Sequence, residues 1–177
     1  DGLFVIPLES LPTWFIIKLY NGTITDTDTA FEDTMCLLAN QLTLDPNNLN
    51  VTPITDVHAQ STEISATDSY DDILAKSDEA EDFTKEMYGL DANAKLGRDY
   101  INDEDSDTSL KVSTMLLLKE TLKSATGSSS SDAFQLLISS YKTQRDAGDS
   151  TNLLDSDNAI DDAFQRGGAD DANIAGY

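Results

Sequence analysis

Asp103, Asp105 and Asp107, in the run Asp103-Glu104-Asp105-Ser106-Asp107, place carboxylates at alternate positions, the opening ligand spacing of a calcium loop. The rest of that pattern is not met. The sixth position is Thr108 where the sharp turn needs glycine, and the twelfth is Thr114 where a bidentate Glu closes such a site. Asp91, Asn93 and Asp99 make a second partial match, with Lys95 bringing the wrong charge to its fifth position. In a chain holding 25 Asp such matches arise by chance, so the run reads as an exposed acidic loop. Its sharper reading is a weak Ca²⁺ site of a non-EF kind at Asp103, Asp105 and Asp107. No other cofactor is implied.

His58 is the single histidine, so acid–base chemistry near neutrality has one candidate, which the sequence places in a polar loop without a role. The G-x-S-x-G, H-E-x-x-H, G-x-x-x-x-G-K-[ST] and G-x-G-x-x-G patterns are absent. A carboxylate pair for glycoside hydrolysis can be drawn from any of 33 acids, which singles out none. Cys36 is alone, which excludes an intrachain disulfide, and its apolar neighbours point to a buried structural thiol. Trp14, Phe15 and Tyr20 are read as buried hairpin aromatics, with a sugar- or partner-binding platform as the alternative. These residue types predict a protein that is not an enzyme.

The 33 acids face 11 Lys and Arg across 177 residues, a net charge of −22, which is the wrong sign for neutralising nucleic-acid phosphates. With 25 Asp against 8 Glu, the charge belongs at helix starts and turns, where Asp satisfies local backbone donors. Every quarter of the chain is net negative, as in a surface adapted to high salt. A DNA mimic would want carboxylates in regular rows on long helices. Leu, Ile, Val and Phe together make 42 residues, enough for a folded core. No run of about 18 apolar residues exists to span a membrane. The chain begins at Asp1 rather than Met, as expected of a removed leader or a numbering that starts late, and sequons stand at Asn21 and Asn50.

The elements that must position these groups predict an α+β fold. It comprises a small N-terminal antiparallel β-hairpin sheet and three to four helices, with an extended N-terminal arm (1–12), one domain (13–165) and a loose C-terminal tail (166–177). Residues 14–20 are aromatic and β-branched and run into Asn21-Gly22, the signature of a type I′ hairpin into Thr23-Ile24-Thr25. From Asp28 the period becomes helical, with Phe31, Met35, Leu38 and Leu42 on one face and Thr29 with Glu32 as a capping box. Residues 45–67 read as a long connection. A surface helix is expected from Ser69 to Tyr88, a central one over 108–125, and a third from the Ser128–131 joint, capped by its last serine, to near Gly148. A short turn around Ile160 and Phe164 follows.

Leu3, Phe4, Val5, Ile6 and Leu8 form an uncharged extended run, which Pro7 confines to an edge strand or to an arm that leaves the domain. Such an arm can add to a neighbour's sheet. With the tail to Tyr177 as a second contact, it predicts partners that are other protein subunits, an oligomeric state, and neither nucleic acid nor a membrane span. The expected role is a structural subunit, in a virion head, neck or tail or a similar extracellular particle from a saline setting. A secreted calcium-responsive module and an acidic DNA-mimic inhibitor are the alternatives.

Overall fold

Thr52, Ser69, Asp105, Ser129 and Ser156 each accept a backbone N–H at the start of a helix, and these five starts set the architecture. The computed structural model describes residues 11–20, 22–24, 29–31, 34–43, 45, 49–100, 105–149 and 151–169. In chain order the elements are β1 (Trp14–Leu19), β2 (Gly22–Ile24), β3 (Thr29–Phe31) and β4 (Met35–Asn40). There follow α1 (Pro53–Ser61), α2 (Tyr70–Tyr88), α3 (Ser106–Thr126), α4 (Ser130–Asp146), a 3₁₀ turn (Leu153–Asp155) and α5 (Asp157–Arg166). The fold is α+β, strands first and helices after.

Strand pairing departs from the expectation. β1 does not turn back onto β2. It pairs antiparallel with β4, from Trp14 opposite Asn40 to Leu19 opposite Met35, while β2 and β3 form a separate antiparallel pair. Asn21 lies outside the described residues. The helix expected from Asp28 is replaced by β3 and β4. Five consecutive apolar residues from Met35 fit either period, and burial decides between them. Leu37, Leu38 and Ala39 are all buried, which suits a strand paired to β1 and packed on α1.

The connection expected over 45–67 contains α1, which makes the α-helices among the described residues five. Thr52 and Thr55 cap it reciprocally, each side chain accepting the other's N–H, and Pro53 fills the first position, where no N–H is required. α2 runs where the sequence places it, between the Ser69–Asp72 capping box and Gly89 at φ +61°. It is not a surface helix throughout, because Ala80, Phe83, Met87 and Tyr88 are buried.

α3 ends at Gly127, whose φ of +67° costs a glycine little. It buries one stripe, Val112, Met115, Lys119 and Leu122, and leaves Leu110 and Leu117 exposed. α4 is capped by Ser129 rather than Ser131 and buries Ala133, Phe134, Leu137, Ile138 and Tyr141. α5 closes the core with Ala159, Ala163 and Phe164, and Arg166 donates to Thr143 Oγ1 of α4 at 3.1 Å. Among the described residues no helix is long and apolar enough to cross a membrane.

Leu137 is fully buried where α4 meets its neighbours. Leu137→Ala is expected to lower the unfolding free energy by about 2–5 kcal/mol in urea denaturation, through lost burial and the cavity left behind.

Candidate functional site

β1 is made of residues suited to a covered strand, Trp-Phe-Ile-Ile-Lys-Leu, yet none of the six is buried. Its partner β4 buries its last four, Leu37 to Asn40. Among the described residues β1 pairs on one edge only, so its outer edge presents backbone N–H and C=O groups with no described strand beside them. Side chains alternate between faces. Trp14, Ile16 and Lys18 stand opposite Asn40, Leu38 and Cys36, and Phe15, Ile17 and Leu19 opposite Ala39, Leu37 and Met35. Ile16 is 46 % exposed, Leu19 41 % and the adjoining Tyr20 67 %.

The sheet is fixed at its Trp14 end. Gln41 N–H donates to the Thr13 carbonyl at 2.7 Å, Asn40 Nδ2 donates to the Tyr70 hydroxyl at 3.0 Å, and the Trp14 and Tyr70 rings lie 5.9 Å apart. The three aromatics singled out in the sequence do not make one platform. Trp14 and Phe15 point to opposite faces, and Tyr20 is exposed at the other end of the strand.

Between the sheet and α2 lies a cleft of about 340 Å³, its wall including Trp14, Asn40, His58, Leu74 and Lys95. His58 is not in a loop but on α1, buried, with Nε2 3.1 Å from the Ser77 carbonyl and 3.2 Å from Ser77 Oγ. A carbonyl only accepts, so the proton sits on Nε2. That nitrogen therefore cannot act as the base for the Ser77 hydroxyl, and burial holds the imidazole below its ordinary pKa, in the neutral form.

Beneath β4 is a buried polar joint. Asp56 of α1, 3 % exposed, accepts from the Cys36 N–H at 2.9 Å through Oδ1 and from Gln60 Nε2 at 2.7 Å through Oδ2. Burial pushes its carboxyl up to about 6, against the donors and the nearby Lys119. Burial, then the Asp56 charge, raises the Cys36 thiol, which stays protonated at neutral pH and is a poor nucleophile. The adjoining cavity is about 20 Å³, room for one water and not for a substrate.

Asp105 caps α3, accepting from Thr108 N–H and Oγ1 and pairing with Arg98 at 3.2 Å. Asp107 pairs with Lys111 at 2.8 Å. Asp103 lies outside the described residues, among which no three His, Cys, Asp or Glu gather as a metal-holding set. Leu3, Phe4, Val5, Ile6, Leu8 and Tyr177 also lie outside them. Sequence reasoning passed over Asp56, Gln60 and Lys119. The available signal was Asp56 four residues after the Thr52 cap, on the face shared with Gln60. No family model, curated protein or solved structure matches the chain.

Because His58 is held neutral in the fold, the unfolded chain takes up a proton that the folded one refuses. Its contribution to stability is expected to be lost as pH falls below about 6.5. Urea midpoints of the wild type and His58→Gln at about pH 7.5 and about pH 5.5 measure it, with the wild type losing ground to the variant in acid.

Proposed function

We propose that this chain is a non-enzymatic structural subunit that joins a larger protein assembly by strand addition at the outer edge of β1. The observation that carries this reading is the contrast within one ladder. β4 is buried, while β1, with five apolar residues of six, buries none. An open edge flanked by exposed apolar side chains is what proteins ordinarily cover, and an extended apolar segment satisfies both its backbone groups and its side chains. Residues 3–8 of another copy have that character, and Pro7 suits them to the outermost position.

A net charge of −22 disfavours association at low salt through self-repulsion and permits it where the Debye length is a few ångströms. A particle in a saline setting, such as a virion head, neck or tail, suits this balance. Light scattering after size exclusion, at low and high salt, tests the reading. The wild type is expected at multiples of 19.2 kDa, more so at high salt. Ile16→Lys with Leu19→Lys is expected to hold it at one copy with its circular dichroism unchanged, since both side chains are exposed. A wild type that stays at one copy at every salt and concentration, and binds no extended apolar peptide, overturns it.

A further inference from the structure

Among the described residues Asp56 is the one buried acid and Lys119 the one buried lysine or arginine, and both sit where the β1–β4 sheet meets the helices. Groups from several elements surround Asp56 directly or through one neighbour. β4 supplies the Cys36 N–H and its thiol, and β1 the Lys18 charge that acts on that thiol. α1 supplies Gln60, and α3 supplies Lys119, with Glu120 3.6 Å from its Nζ. α4 supplies Phe134, its ring 6.0 Å from Lys119 Nζ, and Gln135, whose Nε2 donates to Gln60 Oε1. The Tyr88 phenol of α2 feels the Asp56 charge.

We propose that Asp56 is a proton-operated latch, which fastens the β1–β4 sheet to the helical body when protonated and loosens that joint when ionised. The Cys36 N–H points away from β1 and ties the inner edge of the sheet to α1 while the joint is closed. On protonation the carbonyl oxygen keeps that bond. The new O–H donates to Gln60, whose amide turns over to offer Oε1, and Gln135 turns over in response. The proton state of a buried group is thereby passed through two side-chain amides to Gln135, which is exposed. In the ionised state a full charge sits in a site 3 % exposed, balanced by a lysine that it shares with Glu120.

The direction follows from linkage. Burial raises the closed-state carboxyl from 3.8 to about 6, so closing takes up a proton, and the advantage of the closed joint is lost as pH rises through that window. Over the whole window the opening equilibrium changes about 100-fold. Among the described residues the sheet has two strands, which are marginal by themselves, so the joint is a place where local opening precedes global unfolding. His58 titrates with the opposite sign but faces Ser77 on α2. The latch stands whether or not β1 docks a partner.

Amide hydrogen exchange, corrected for intrinsic rates, tests it on the full chain. Between about pH 4.5 and about pH 7.5 the protection of the amides from Cys36 to Ala39 is expected to fall roughly 30-fold, with Met115 and Leu122 of α3 unchanged. Asp56→Asn should remove the pH dependence at β4, and Lys119→Met should move it to higher pH. If Asp56→Asn fails to fold, the contrast between β4 and α3 in the wild type decides. Protection at β4 that ignores pH overturns the latch. So does an equal fall at β4 and α3, which would tie Asp56 to global unfolding alone.

Discussion

One buried carboxylate, the only one among the described residues, bonds the sheet to the helical body beside the apolar contact of β4 with α1. With 33 acids in the chain, almost any arrangement can keep them in water, yet the fold places Asp56 under β4, where a backbone N–H, Gln60 and Lys119 receive it. The site costs burial of a charge or uptake of a proton, and neither is needed to make α1 or β4 individually. What Asp56 provides is a directional bond to the inner edge of the sheet. That bond holds Cys36 of β4 over Asp56 of α1, while the pairing with β4 leaves the other edge of β1 outward. A leucine at the same place would bury more apolar surface but would leave the Cys36 N–H without its acceptor, a loss of about 1–3 kcal/mol.

Much of the helical architecture was legible because its signals are local. Ser69 with Asp72, Gly89 and Gly127 each act within four residues, and the stripe of Phe134, Leu137, Ile138 and Tyr141 needs only the helical period. The strand pairing was not legible, because β1 and β4 are separated by another ladder and no local rule chooses a partner across it. Asn21-Gly22 is a strong turn signal, and it misdirected the reading by offering β1 the nearest strand. α1 was hidden by its composition. Thr, Pro and Asp resemble a loop until Thr52 is recognised as a cap and Pro53 as a first helical residue, after which Ile54 and Val57 take their places in the core. The buried joint was illegible for the same reason, since its members come from β4, α1, α3 and α4.

The Asp-heavy composition is accounted for by the same local chemistry. Asp72 and Asp132 reciprocate serine caps, Asp105 is itself a cap, and Asp68, Asp91 and Asp149 accept backbone N–H groups in turns. Four of these carboxylates are held below the usual range, Asp68 chiefly by the Lys76 ammonium, Asp72 and Asp149 by the Ser69 and Thr151 hydroxyls and Asp105 by the Thr108 N–H, with backbone N–H groups adding to the first three. The calcium-like spacing of Asp103, Asp105 and Asp107 illustrates the point. Its described members serve α3, one as the cap and the other in the first turn beside Lys111.

Among the described residues, local chemistry leaves β1 unfinished. Its side chains have the composition of an interior strand and the exposure of a rim. Charges blunt the edges of many sheets, but here the six residues of β1 carry one, Lys18. A strand added there would meet the free backbone row and, through alternation, would extend both faces at once, lying beside Ile16 on one and Leu19 on the other. The helical body cannot do this, because α1 already occupies the other side of β4 and the Trp14–Tyr70 contact fixes one end of the sheet. On the proposed reading, cover for β1 would approach along the edge that has no described strand beside it, and strand addition is a geometry that satisfies backbone and side chains together.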